Sequence, residues 1–167
     1  MKILKPKFWN SNNLIVYILL PLTLITRIII SIKKNKIPYK PKIKSICVGN
    51  IYLGGTGKTQ LVIKLNQILK KNHKIIIIKK KYDNQIDEQK LLKKKTRLIL
   101  PKDRLAGLKK IYNNKQKKIV IFDDGLQDKS IKYRISIVCF SSITGIGNGK
   151  LIPAGPLRED LSELKNY

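Results

Sequence analysis

An α/β architecture, with a mostly parallel sheet flanked by helices and preceded by an apolar helical arm, follows from three features of this 167-residue chain. From Pro41 onward, short aliphatic runs alternate with lysine-rich stretches of helical periodicity, the pattern of repeated strand–helix–strand units. A glycine-rich turn stands between the first such run and the first helical stretch. Ahead of both lies a long apolar segment. The length suffices for one sizeable core and not two.

That segment, residues 14–32, has thirteen Leu, Ile or Val among its nineteen residues, is interrupted by Pro21, Arg27 and a few hydroxyls, and has Lys33, Lys34 and Lys36 behind it. Membrane contact is the natural reading. No small-residue cleavage site follows, which argues against a secretory signal. Two modes of contact stay open. Insertion is feasible, because aliphatic residues at about −0.3 to −0.6 kcal/mol each outweigh one arginine at about +3 kcal/mol. Thr23, Arg27 and Ser31, with Thr26 beside them, draw a polar stripe along the second half, which favours a helix lying in the interface. The competing soluble reading is a helix buried in the core. In either membrane mode the trailing lysines keep the rest of the chain on the cytoplasmic side. Residues 1–40 are thus read as a membrane-associating arm and 41–167 as the main domain.

The expected strands are residues 43–48, 74–78, 97–100, 119–122 and 135–140, and the expected helices 58–71, 87–94 and 103–112. Cys47 and Cys139 each fall in an apolar run that reads as a buried strand, and their spacing matches no metal or redox motif. His73, the only histidine, lies in a polar Lys-Asn-His-Lys connection and reads as a solvated turn residue. The net charge is +26, with 10 acidic residues, but lysine is over-used along the whole chain instead of forming one patch. That distribution argues against a nucleic-acid surface and suits an anionic membrane at least as well.

Chemistry enters where the first run ends. Gly49-Asn50-Ile51-Tyr52-Leu53-Gly54-Gly55-Thr56-Gly57-Lys58-Thr59 leads straight into a helical pattern. This is a phosphate-binding loop: glycines let backbone N–H groups turn towards phosphate oxygens and the helix start adds positive potential. Lys58 reaches the β and γ phosphates and the Thr59 hydroxyl binds Mg²⁺. The usual pattern places glycine where this chain has Tyr52, but Gly54, Gly55, Thr56, Gly57, Lys58 and Thr59 resemble the variant loop of partition ATPases and dethiobiotin synthetase. Asp123-Asp124 closes the run at 118–122, where a carboxylate at a strand's end would hold Mg²⁺ beside the loop. In parallel sheets the ligand sits at these carboxyl ends. Together the two motifs indicate a P-loop NTPase-like domain binding ATP and Mg²⁺.

The substrate comes from a resemblance spanning nearly the whole chain. Phe8-Trp9, the apolar arm, Val48-Gly49-Asn50 with the phosphate loop, Asp123-Asp124-Gly125-Leu126-Gln127, Gly145-Ile146-Gly147-Asn148-Gly149 and Pro153-Ala154-Gly155-Pro156-Leu157-Arg158-Glu159 occur in the order seen in the tetraacyldisaccharide 4'-kinases of lipid A synthesis. The resemblance implies phosphorylation of the 4' hydroxyl of a lipid-borne disaccharide at the cytoplasmic face of the bacterial inner membrane. It implies that Lys58 and Thr59 bind nucleotide phosphates and Mg²⁺, that Asp123 and Asp124 complete the metal site, and that Arg158 and Glu159 lie at the reacting end. Asp87-Glu88 resembles the family's Gly-Asp-Glu segment, so Asp87 would help draw the proton from the attacking hydroxyl. An exposed acidic pair starting a helix explains the same residues equally well.

The chain departs from the family at several points. Lys80-Lys81-Tyr82 replaces Arg-Gly-Tyr, Asp128 replaces a histidine, and Ile86 replaces the glycine before Asp87. It ends at Tyr167, near the middle of a typical member, so the carboxyl-terminal domain is expected elsewhere, for instance as a separate chain. The alternatives are a non-catalytic nucleotide-binding membrane protein and, from another class, a partition-type ATPase.

Overall fold

The computed structural model describes residues 5–34, 37–111 and 118–167. Five strands form one sheet in the order β3-β2-β4-β1-β5. They are β1 (Lys44–Gly49), β2 (Lys74–Lys79), β3 (Leu98–Ile99), β4 (Lys118–Asp123) and β5 (Ile135–Val138), and every pairing is parallel. Between them run α3 (Lys58–Leu69), α4 (Ile86–Lys95) and α5 (Arg104–Ile111). The arm supplies α1 (Leu14–Leu19) and α2 (Thr23–Lys34), joined by the 3-10 turn Leu20–Leu22. The α/β expectation holds.

The aliphatic runs lack alternation because both faces of the sheet are covered. Ile75 and Ile77 of β2, with Ile119 and Ile121 of β4 and Val48 of β1, pack against Val62 and Ile63 of α3 and Leu92 of α4. The intervening Ile76, Ile78, Val120, Phe122 and Cys47 meet Leu108 and Ile111 of α5. Each fully buried aliphatic side chain contributes about 1.5–3 kcal/mol.

Helix ends follow local chemistry. Asp103 caps α5, its carboxylate accepting the Ala106 N–H at 2.8 Å. In α4, Asp87 and Glu88 sit in the first turn and Lys93, Lys94 and Lys95 in the last, both favourable to the helix dipole. The edge strands are shorter than expected, since each has only one neighbour to pair with. Cys139 consequently lies just beyond β5 and is half-buried, not in a buried strand, whereas Cys47 is fully buried; both are free thiols. His73 is a half-buried turn residue. Tyr112, the expected end of the third helix, and Lys36 lie outside the described residues.

The arm is the main departure. Asn13 caps α1, its side chain accepting the Val16 N–H at 3.2 Å, and Pro21, with no N–H to donate, marks the break before α2. Two residues of the polar stripe, Thr26 and Arg27, meet the rest of the chain. Thr26 Oγ1 donates to the Ile152 carbonyl at 2.6 Å, and Arg27 pairs with Asp160 at 3.1 Å. Arg27 keeps more than half of its side chain exposed despite this pair, and Ser31 is exposed as well. The aliphatic face points outward, with Leu14, Ile18, Leu24, Ile25, Ile28 and Ile32 each about half exposed or more. Within the described residues the arm is therefore not a buried core helix. Trp9 pins the preceding turn, donating from Nε1 to the Pro153 carbonyl at 3.1 Å. Gly147 lets it approach: at φ +61°, an added Cβ would stand 2.7 Å from the Trp9 carbonyl oxygen.

Candidate nucleotide-binding site

The site forms where β1 and β4 lie side by side. Their register pairs Val48 with Asp123, so the loop leaving β1 and the acidic turn leaving β4 emerge together despite their separation in sequence. Gly57, at φ +75° and ψ +8°, takes the left-handed conformation that turns the loop into α3. An added Cβ there would meet nothing within 4 Å, so the loop opens onto free space.

Asn50 shapes the loop from inside. Its fully buried amide donates from Nδ2 to the Tyr52 carbonyl at 2.6 Å and the Gly54 carbonyl at 3.2 Å, while Oδ1 accepts from Lys58 Nζ at 3.1 Å. Tyr52, where glycine is usual, is a core residue packed with Ile51, Leu151 and Leu157. It also bridges to Leu157. Two backbone bonds stitch the same segments together, Leu53 N–H to Pro156 O at 2.8 Å and Arg158 N–H to Ile51 O at 2.7 Å. The 153–159 motif therefore braces the first half of the loop, and this is what delivers Arg158 to the site.

Asp123 and Asp124 have different surroundings. Asp124 adopts φ +57°, a strained conformation for a residue with a side chain. It is held there by its N–H bond to Val48 O at 2.8 Å and by Arg104 donating to its carbonyl at 2.6 Å. Its carboxylate meets Lys58 Nζ at 3.5 Å and Arg158 Nη1 at 3.1 Å. Burial pushes this carboxyl up, but the ammonium of Lys58 and the guanidinium of Arg158 outweigh it and hold the group below the usual carboxylate range. Asp123 is fully buried, and burial raises its carboxyl against the pull of Lys79.

Lys79 went unremarked in the sequence. Its side chain, 1% exposed, lies 2.8 Å from Asp123 Oδ2 and 2.8 Å from Glu88 Oε2. Register explains the contact, since Lys79 pairs with Asp123 across the β2–β4 ladder. Only the run of lysines at 79–81 hinted at it, and such runs usually mark a solvated face.

Other expected residues are distributed unevenly. Asp87 stands exposed in the first turn of α4, next to Glu88. Glu159 is buried behind Arg158, paired with Lys129 at 3.2 Å and accepting from the Tyr167 hydroxyl and from Gln127 Nε2 at 3.2 Å. Gln127 also donates to the Asn50 carbonyl at 2.9 Å, linking that layer to the loop. A groove of about 430 Å³ opens beside the site, lined by Lys80, Tyr82, Arg104, Asp124, Gln127 and Arg158 among others.

The donor set suits Mg²⁺. The Asp123 Oδ1 atom is buried without a hydrogen-bond partner, and Oδ2 lies 3.5 Å from Thr59 Oγ1. Among the described residues no three His, Cys, Asp or Glu side chains form a metal cage. Mg²⁺ commonly needs only one or two carboxylates, completing its shell with phosphate oxygens and water. Thr56 Oγ1 is likewise buried and unpartnered at the loop.

Comparison with known proteins accords with this geometry. The family model for tetraacyldisaccharide-1-P 4'-kinase matches residues 15–167. The tetraacyldisaccharide 4'-kinase of Pelagibacter ubique is 48% identical over 170 residues, covering 100% of this chain and 54% of that sequence. That of Rickettsia akari is 36% identical over 178 residues, covering 96% and 54%. The crystal structure of LpxK from Aquifex aeolicus in complex with ATP superposes with a TM-score of 0.76 at 24% identity, over 92% of this chain and 57% of that one. The chain thus spans about half the length of the curated relatives it matches. With a family model matched from the arm to its last residue, the chain belongs to the tetraacyldisaccharide-1-P 4'-kinase family.

Proposed function

We propose that this chain provides the nucleotide-binding part of an ATP-dependent kinase that phosphorylates the 4' hydroxyl of a tetraacyldisaccharide 1-phosphate. The observation that carries the proposal is the convergence of Lys58, Thr59, Asp123, Asp124 and Arg158 at the adjoining ends of β1 and β4. Residues 54–59 wrap the phosphates, with Lys58 exchanging Asn50 and Asp124 for phosphate oxygens. Thr59 and Asp123, with Asp124 next in sequence, would hold Mg²⁺, which would supply positive charge to offset that of the transferring phosphoryl group. Arg158 adds a fixed positive charge at the same point, and buried Glu159 anchors the backbone that carries it. Asp87 takes the proton of the attacking hydroxyl, and the groove beside Arg158 receives the acceptor.

In the same reading, residues 1–40 act as a membrane arm and 41–167 as the catalytic domain. The outward aliphatic face of α1 and α2, together with the basic chain, suits the anionic cytoplasmic surface of the inner membrane, where a lipid-linked acceptor resides. A further carboxyl-terminal half, covalent or separate, closes the cleft.

The test is transfer of radiolabelled phosphate from ATP to tetraacyldisaccharide 1-phosphate in detergent micelles, with ATP binding measured on the same samples. Transfer that disappears in Lys58→Ala is the expected result. ATP binding absent, or unaffected by Lys58→Ala, would overturn the reading; binding without transfer would favour a non-catalytic nucleotide-binding membrane protein.

A further inference from the structure

One charged group at the site has no part in the phosphate and metal roles assigned above. Lys79 ends β2, and its Nζ lies 2.8 Å from Asp123 Oδ2 and 2.8 Å from Glu88 Oε2. Oδ2 is also the oxygen that faces the Thr59 hydroxyl at 3.5 Å. An ammonium and a divalent ion therefore claim the same oxygen of a buried carboxylate. Their mutual repulsion is strong, because Lys79 is almost wholly removed from water. Yet the two ends of the lysine's ion-pair network differ: Asp123 is fully buried, whereas the Glu88 side chain is 53% exposed on the first turn of α4. Lys79 has a second, more yielding partner to lean on when Asp123 is taken.

We propose that Lys79 is a positioning residue that reserves Asp123, so that the site rejects free divalent ions and takes a metal only together with nucleotide. The proposal rests on the nucleotide-site reading above. Without nucleotide, Lys79 holds Asp123 while Lys58 and Arg158 hold Asp124, so an incoming cation finds both carboxylates already paired with cations. Nucleotide phosphates supply the missing negative charge, and Lys79 then shifts its weight towards Glu88. Because Lys79 bridges Asp123 to Glu88, the same exchange couples occupancy of the metal site to the first turn of α4, which carries Asp87.

The experiment uses Mn²⁺ as probe on the full chain, with bound ion measured by electron paramagnetic resonance, with and without a non-hydrolysable ATP analogue. Without nucleotide, Lys79→Met is expected to bind Mn²⁺ more tightly than the unsubstituted chain by on the order of tenfold or more. Lys79→Arg, which keeps the charge, stays weak. With the analogue present, the gap between Lys79→Met and the unsubstituted chain narrows. Glu88→Gln, at an exposed position that does not threaten folding, leaves Lys79 wholly with Asp123 and binds no more Mn²⁺ than the unsubstituted chain. Equal Mn²⁺ affinity in Lys79→Met and the unsubstituted chain, or tighter binding in Glu88→Gln, would overturn the proposal. Failure of the unsubstituted chain to bind the analogue at all would instead refute the nucleotide-site reading, so the two failures are told apart in one series.

Discussion

Asn50 is the residue whose removal should reveal how the glycine-rich loop after β1 is held. Substitution by alanine deletes two neutral hydrogen bonds, at 2.6 and 3.2 Å, and one bond to the Lys58 ammonium at 3.1 Å. Neutral bonds contribute about 0.5–1.5 kcal/mol each and bonds to a charged group about 1.5–3 kcal/mol, for a gross loss of about 2.5–6 kcal/mol. Lys58 keeps Asp124 at 3.5 Å and water can reach the opened loop, which brings the net to about 2–4 kcal/mol. For a chain of this size each kcal/mol lowers Tm by roughly 2–4 °C. Urea unfolding should show a lower midpoint with an unchanged slope, and a fluorescent ATP analogue should bind about tenfold more weakly because the loop is no longer preorganised. Asn50→Asp should be at least as damaging, since a carboxylate would face the Tyr52 and Gly54 carbonyl oxygens that now receive N–H donors. If Asn50→Ala lies within about 0.5 kcal/mol of the unsubstituted chain and binds nucleotide equally well, the loop does not depend on this amide.

Four further expectations follow from other contacts in the fold. Tyr52→Gly, which restores the residue usual in such loops, should destabilise the fold by about 3–5 kcal/mol in urea titrations, because Tyr52 fills the core against Leu151 and Leu157. Asp124 has a depressed carboxyl, so its contribution is fully present above the unfolded value near pH 4 and is lost as the pH falls through the folded value. The stability difference between the unsubstituted chain and Asp124→Asn, a residue that tolerates the left-handed backbone, should therefore shrink below about pH 4 in denaturant series; a constant difference would refute the assignment. Replacing exposed Leu24 and Ile28 by Glu should abolish sedimentation with anionic vesicles while leaving Tm within about 2 °C, whereas Thr26→Val should lower Tm through loss of its bond to Ile152 O.

Much of the site was legible in advance because its parts are local. The glycines, Lys58 and Thr59 lie within one turn between a strand and a helix, and Asp123 ends a strand whose apolar run is visible on inspection. Asn50 was visible only as part of a motif, since nothing in a sequence says that an amide turns inward to bind its own loop. Lys79 was invisible for a different reason: its burial depends on pairing with Asp123 in a neighbouring strand.

Periodicity along the chain determined the alternating strands and helices, and the spacing of glycine, lysine and threonine marked the glycine-rich loop between β1 and α3, because each depends on neighbours a few residues away. Only the tertiary structure decided which strands adjoin, and with that the meeting of Val48 with Asp123, Asp123 with Lys79, and Asp124 with Arg158. It also decided that the polar stripe of the arm serves Ile152 and Asp160 while the aliphatic face is left bare. An amphipathic pattern fixes two faces of a helix but not which one meets the protein. That choice belongs to partners more than a hundred residues away, the Ile152 carbonyl and the Asp160 carboxylate.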